Sequence, residues 1–350
     1  MIRHAEAEGN MYRRAHGHHN GLITTKGYVQ IGKLEERLKD EHIDAVYSSD
    51  LGRTQVTSTA VTRTRGLPIT TDSALREVHM GVWEDMPWGE IEVSYPEMSK
   101  QFGQDPAKWK VNGSESYEDV VSRMTSFITK TAKCHDGETI AIFSHGFAIR
   151  AFFCNLMGFA SHESHNVNYC DNTAVALLIY DNDKLSIQYQ SDNSHLHTDE
   201  STLGNQAWWN GRKVWTTENM HYMPTDEVRD AKLLKSYQNE FGTRPLADTV
   251  FTAYLSSEPA GLVGFDSENE DYGELKYIHL HPDFRNNNFG VQLIGQAISA
   301  LRKRKRKVLR FNVQKDSPVM RLCLKHDFIP ISENGNICLL EKNICNWSTM

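Results

Sequence analysis

No stretch of this sequence approaches the roughly 20 consecutive apolar residues that a membrane helix needs. The richest stretch, Ala148 to Ala160, contains Arg150 and Asn155 and reads as a buried amphipathic helix. Paired cysteines are missing as well. Cys134, Cys154, Cys170, Cys323, Cys338 and Cys345 show no CxxC or other ligand spacing. They predict reduced thiols in a cytoplasmic protein and no metal site. The chain start carries no signal-peptide pattern. An excess of positive charge is also lacking: the formal net charge is −7, so neither nucleic acid nor a membrane surface is expected as a partner. The chain is otherwise of ordinary globular composition, and its 350 residues are too many for one ordinary core. Two domains are the expectation, 1–204 and 205–350.

Chemistry is concentrated at the very start. Ile2 can end a strand and Ala5 to Gly9 can turn out of it, leaving Arg3 and His4 at the strand's carboxyl end, with Asn10 after the turn. Ligands of open α/β sheets bind at such ends. There an imidazole can attack phosphorus while a guanidinium holds phosphate oxygens. A plain surface pair is the competing reading. Only Met1 and Ile2 precede Arg3, whereas a buried strand normally has four or more residues, so a first strand shortened by lost upstream residues is expected.

The same arrangement recurs. Thr25 or Thr24 can cap a helix from about Lys26 to Lys39, with Leu34 and Leu38 as an apolar pair. Asp44 to Ser48 reads as a strand running into Ser49-Asp50-Leu51-Gly52-Arg53-Thr54, which puts Arg53 at a strand-to-helix turn. A cation there opposes the helix dipole, which disfavours a merely solvated role. Glu77 lies in an apolar-flanked segment, where partial desolvation would keep a proton available. A surface carboxylate is the alternative. Asp85 to Gly113 is irregular and aromatic and fits a helical lid, and Ser116 opens a helix to about Lys133. Thr139 to Phe143 is a doubly buried strand ending in Ser144-His145-Gly146, so His145 also sits between a strand and a helix. Ala174 to Tyr180 and Leu185 to Tyr189 complete the sheet.

The order Arg-His-Ala-Glu…Asn, Ser-Ser-Asp-Leu-Gly-Arg-Thr, Leu-Arg-Glu-Val-His-Met-Gly-Val-Trp-Glu, Gly-Ser-Glu-Ser and Ser-His-Gly resembles the histidine phosphatase superfamily, the phosphoglycerate mutase-like proteins. The resemblance covers residues 1 to about 200. It implies a three-layer α/β/α sandwich and a phosphorylated small-molecule substrate. It implies His4 as the phosphorylated nucleophile, with Arg3, Arg53 and His145 binding the phosphoryl group. Asn10 would line the pocket and Glu77 would donate a proton to the leaving oxygen. Ala5 stands where the family usually has Gly. Two Arg forks and one imidazolium match a transition state with charge on three equatorial oxygens, without a metal ion. The attacking His must be neutral, its other nitrogen donating to a backbone carbonyl.

The text changes character over Ser191 to Gly211, with Trp208 and Trp209 as an interdomain anchor or the start of the next core. Pro224 to Glu227 reads as the start of a helix running to Phe241 and stopping at Gly242. Val250 to Leu255 and Gly261 to Phe265 read as paired strands, and Leu275 to Leu280 as a third strand followed by a proline turn. A polar loop, Arg285-Asn286-Asn287-Asn288-Phe289-Gly290-Val291, then enters a helix, where exposed N–H groups can cradle a pyrophosphate. Leu309 to Val313 and Pro318 to Lys325 follow as strand and helix.

These pieces resemble a GNAT-type N-acetyltransferase, an α+β domain. The resemblance implies acetyl-CoA as cofactor, the Ile278 and Leu280 strand pairing with its pantetheine arm, and an amine, small or on a protein, as acceptor. Arg285, Asn288 and Gly290 occupy the family's Arg/Gln-x-x-Gly-x-Gly/Ala positions, with Asn288 in place of Gly. The usual Tyr that protonates the CoA thiolate aligns with Cys323, and a Gly aligns with Asp327. Glu274 and His279 are the nearest candidate bases. The six cations Arg302 to Lys307 read as a solvated helix end or a site for the CoA 3′-phosphate.

The expectation is therefore a bifunctional enzyme: a metal-independent phosphomonoesterase joined to an acetyltransferase. A phosphatase regulated by a CoA sensor, a mutase-type phosphotransferase and a non-catalytic interaction protein are the alternatives.

Overall fold

The computed structural model describes residues 1–206 and 218–346, so Trp208 and Trp209 lie outside the described residues. In chain order the first half contains β1 (Ile2–Arg3), α1 (Glu8–Tyr12), α2 (Thr25–Leu38), β2 (Ala45–Ser48), α3 (Gly52–Arg65), β3 (Ile69–Thr71), α4 (Trp88–Ser94), α5 (Pro96–Gln104), α6 (Tyr117–Cys134), β4 (Ile140–Ser144), α7 (Gly146–Leu156), β5 (Val175–Asp181) and β6 (Lys184–Asp192). The second half contains β7 (Met220–Pro224), α8 (Ala231–Phe241), β8 (Thr249–Leu255), β9 (Glu258–Asp266), β10 (Tyr272–Leu280), α9 (Gly290–Lys303), β11 (Val308–Gln314), α10 (Pro318–Lys325), β12 (Ile329–Asn334) and β13 (Ile337–Asn343). The chain forms two compact units. One comprises Met1–Asn10, Ala15–Met86 and Tyr95–Arg212, the other Met11–Arg14, Pro87–Ser94 and Lys213–Met350. No helix among the described residues is long and apolar enough to cross a membrane.

The first unit is built on a six-stranded sheet ordered β3-β2-β4-β1-β5-β6. β3, β2, β4 and β1 run parallel, and β5 and β6 are antiparallel. Side chains alternate between its faces. Val46 enters the core with Ile31 and Leu34 of α2 and Val61 of α3, while the Tyr47 ring meets Phe127 of α6 at 5.8 Å. The result is the expected α/β/α sandwich. The caps are chemical. Thr24 accepts the Gly27 N–H at the start of α2, and Ser116 accepts the Asp119 N–H at the start of α6. Only two residues long, β1 is nonetheless paired on both sides, Ile2 with Phe143 and with Val175.

The aromatic segment expected as a lid is partly core. Trp83 and Trp109 are buried, 5.5 Å apart, and Phe102 stacks on Phe147 at 5.1 Å. Burying several rings together recovers more free energy than leaving them as a mobile flap.

The second unit is a seven-stranded sheet ordered β12-β13-β11-β10-β9-β8-β7. Along α9, Leu293, Ile294, Ala297, Ile298 and Leu301 pack against Phe265, Leu275 and Phe311. Within this unit Gly295 gives room to the Tyr12 ring, which a Cβ would approach to 2.5 Å. The helix expected from Pro224 starts only at Ala231. Pro224 ends β7, and the Asp226 carboxylate takes the N–H groups of Val228 and Arg229 into a turn that competes with the helix. The hairpin of β12 and β13 was not anticipated.

Parallel pairing of β10 with β11 stops at Leu275–Phe311. Beyond that point β10 continues with β9, and β11 with β13. The two central strands part, and no strand covers the β11-facing edge of Lys276–Leu280 among the described residues.

Candidate active site

Register alone brings two distant histidines, His4 and His145, together. Arg3 lies opposite Ser144 in the parallel β1–β4 pair, so the next residues, His4 and His145, stand side by side at the carboxyl ends of their strands. The His4 N–H donates to the Ser144 carbonyl at 3.0 Å, and the two rings are 5.3 Å apart. β2 is registered on β4 with Ser48 opposite Phe143, which carries the following turn and the start of α3 to the same end. Arg53 is in the first turn of α3, 2% exposed, and its Nε–H donates to His145 Nδ1 at 3.2 Å. Of its terminal nitrogens, Nη1 donates once to the His19 carbonyl and Nη2 to those of Gly17 and His16, which leaves one Nη1 N–H for a ligand.

His4 Nδ1 lies 2.7 Å from the Ala5 carbonyl. A carbonyl only accepts, so Nδ1 carries the proton and Nε2 keeps its lone pair. Burial first, then Arg53 and Arg3, hold this imidazole well below the usual histidine range, hence neutral. The peptide around it is braced: the Ala5 N–H donates to Thr57 Oγ1, and Asn172 Nδ2 donates to the His4 carbonyl at 2.8 Å.

His145 corrects one expectation. Arg53 donates to its Nδ1, which can accept only when unprotonated, so the ring is a neutral imidazole with its proton on Nε2 rather than an imidazolium. Burial, Arg53 and His4 push its pKa the same way. His145 Nε2 and Arg3 Nε are both buried and have no hydrogen-bond partner among the described residues. Two donors left over at the carboxyl ends of adjacent strands fit an anion. Arg3 is aimed by a bond from one terminal nitrogen to the Cys170 carbonyl, and Gly146 leaves it space: a Cβ there would stand 3.1 Å from Arg3 Nε.

Glu77 caps α7. Its carboxylate accepts the N–H groups of Phe147 at 3.0 Å and Ala148 at 2.9 Å, two and three residues past His145. Arg123 holds the approach to Glu77, donating to the carbonyls of Ala74, Arg76 and Glu77 and pairing with Glu115. Sequence reasoning missed Arg123; it flanks the buried stripe of α6 made by Val120, Met124 and Ile128, and a cation beside an apolar stripe is the one signal that could have found it. Asn172 had no such signal. Asn10 spends its amide oxygen on the Ala7 N–H at 3.1 Å, shaping the turn after His4.

In the second unit, Asn286 and Asn288 have φ of 65° and 61°, the left-handed backbone in which the family uses Gly, and Asn tolerates it. α9 starts at Gly290 with no side-chain cap, so its first N–H groups point forward. An open strand edge and an uncapped helix start fit the pantetheine amides and pyrophosphate of CoA. Ile278 and Leu280 lie on that edge. Phe289 and Val291 side chains are core, leaving only their backbone for a ligand. Arg285 donates to the Leu280 carbonyl and pairs with Glu240, and Asn287 donates to the Arg285 carbonyl. The loop is thus tied internally.

Cys323 lies in the core, with burial pushing its thiol up to about 12. His279 is buried and lowered to about 4, chiefly by burial, and Glu274 pairs with Lys276 at 3.3 Å. The cationic run is structural in part. Arg302 donates to the Ile344 carbonyl, Arg304 to Ser267 and Thr249, and Arg306 to the Ser267 carbonyl.

Residues 1–193 match the histidine phosphatase superfamily (branch 1), and residues 208–328 match the acetyltransferase (GNAT) family. The chain is 29% identical over 178 residues to phosphoserine phosphatase 1 of Hydrogenobacter thermophilus, covering 51% of this chain and 84% of that protein. It is 32% identical over 200 residues to phosphoglycerate mutase-like protein 4 of Arabidopsis thaliana, covering 56% and 85%. Among solved structures, Bacillus stearothermophilus YhfR aligns with a TM-score of 0.54 at 28% identity over 56% of this chain and 97% of that one. Matched by its family over more than half its length, the chain belongs to the histidine phosphatase superfamily, and a GNAT-family segment follows in the same polypeptide.

Proposed function

We propose that the first unit hydrolyses a small phosphomonoester through a phosphohistidine at His4. The observation that carries this is the 2.7 Å bond between His4 Nδ1 and the Ala5 carbonyl beside a second buried imidazole and two guanidinium groups. On this reading His4 Nε2 attacks phosphorus, the ester P–O bond breaks, and Glu77 gives its proton to the departing alkoxide. Glu77 then takes a proton from water, whose oxygen attacks the phosphohistidine, releasing phosphate and restoring neutral His4. Arg3, Arg53 and the Nε2–H of His145 hold the three equatorial oxygens. No step requires a metal ion. On the same reading Asn10, whose amide oxygen takes the Ala7 N–H, would line the pocket with its amide nitrogen.

Hydrolysis is preferred to a mutase reaction, because a mutase must keep its phosphorylated form and re-bind a diphosphorylated partner. The relatives include proteins named for each activity, so a phosphotransferase is the alternative. His4→Ala should abolish phosphate release from p-nitrophenyl phosphate, and retained turnover would contradict the assignment.

The second unit, on the same reading, binds acetyl-CoA through Arg285–Val291 and the Ile278–Leu280 edge and serves an amine acceptor. Acetyl-CoA, when bound, supplies an activated thioester acyl group. The burial of Cys323 favours a second reading, a CoA-sensing unit, because no proton donor occupies the family's usual position. Incubation with acetyl-CoA and a panel of amines separates the two: thiol release indicates transfer, and binding without release indicates a sensor.

A further inference from the structure

We propose that His16, His19 and Asp85 bind a divalent transition-metal ion of the Zn²⁺ type, apart from the reacting groups. One nitrogen from each histidine and one carboxylate oxygen lie within 4.8 Å of one another. Nε2 of His16 and of His19 stand 3.5 Å and 4.0 Å from Asp85 Oδ1, and the two rings are 4.5 Å apart. Both separations exceed an ordinary hydrogen bond. Zinc takes such donors at about 2.0–2.2 Å, which sets tetrahedral neighbours roughly 3.4 Å apart. The His16–Asp85 spacing already matches. Imidazole and carboxylate together suit Zn²⁺, Co²⁺ or Ni²⁺, and three protein ligands leave a position for water.

The donors are held before any ion arrives. The Glu84 carboxylate accepts the N–H groups of His18 at 2.8 Å and His19 at 2.7 Å. The Asp85 N–H donates to the Ala15 carbonyl at 2.8 Å. The His16 ring is wedged by backbone: a Cβ on Gly9 or Gly21 would come within 2.6 Å of it. The ligand side chains keep 8%, 20% and 14% exposure, enough for an ion to enter. The carbonyls of His16, Gly17 and His19 hold the Arg53 guanidinium, so an ion that stiffens this loop also sets the aim of Arg53.

Asp85 has φ of +57°, a backbone that Gly adopts freely, so Asp85→Gly removes the ligand without straining the fold. The test titrates the metal-stripped full chain with Co²⁺, reading visible d–d absorption and its loss on adding Zn²⁺. Stoichiometric binding is expected. His19→Gln and Asp85→Gly should each weaken it by about tenfold or more, while His4→Ala leaves it unchanged. Thermal melts of the metal-free variants establish that they fold, with Asp85→Gly expected to melt no lower than the parent. Absence of a Co²⁺ spectrum overturns the proposal. So does a spectrum that survives both substitutions, or one that disappears in His4→Ala, which would place the ion at the phosphate site.

Discussion

Arg53 Nε–H donates to His145 Nδ1 across 3.2 Å, and this contact fixes the charge of the imidazole. A guanidinium cannot donate to a protonated nitrogen, so the proton of His145 is confined to Nε2, the atom left without a partner. The same guanidinium, pushed down to about 10 by burial, stays charged at neutral pH and depresses His4 as well.

Arg53→Lys keeps the charge but loses the fork that reaches His145 and three carbonyls. A fall in kcat/KM of roughly 10²-fold or more is expected, as for loss of an oxyanion donor. Steady-state kinetics with p-nitrophenyl phosphate measure it, and a fall of less than threefold would mean that only the charge of Arg53 matters.

Gly146→Ala should weaken phosphate binding with little change in thermal stability. The new Cβ meets Arg3 at 3.1–3.2 Å, close enough to displace the guanidinium, while Ala otherwise suits a helix. Competitive inhibition by inorganic phosphate and a melting curve separate the two effects.

Stability should fall between pH 6.5 and 4. Burial lowers His279 and His326 to about 4 and depresses His4 and His145 strongly, against an ordinary 6.5. In that window the unfolded chain binds more protons than the native one, so stability rises with pH and is lost on acidification. Carboxylates held low by partners, such as Asp192 at about 2, act only at lower pH. Melting temperatures at pH 7 and pH 5 in matched salt test this, and an equal or higher value at pH 5 would contradict it.

Cys323→Ala should leave any thiol release from acetyl-CoA within about twofold while costing about 1 kcal/mol of stability, the common size of a core truncation. The side chain lies in the core. A large loss of thiol release would instead give Cys323 a part in transfer.

Much of the site was legible because its residues sit at strand ends. Ile2, Val46 and Ala141 mark strands by apolar runs, and Arg3, His4, Arg53 and His145 follow each run. Their adjacency was not written locally. It depends on β1 lying beside β4, a pairing across some 140 positions of chain. The charge of His145 was hidden for the same reason, since it is set by a partner on another helix. Pro224 misled because Asp226 offers the backbone an alternative to the helix. Trp109 resembled a lid because its ring partners, Trp83 and Phe102, come from separate segments.

The phosphohistidine is the most direct test. Rapid acid quench is unsuitable because phosphohistidine is acid-labile, so wild type is quenched in alkali after mixing with a ³²P-labelled phosphomonoester, and peptides are mapped. The account predicts transient label on His4, absent in His4→Ala together with turnover. Label on another residue, or full turnover in His4→Ala, would contradict it.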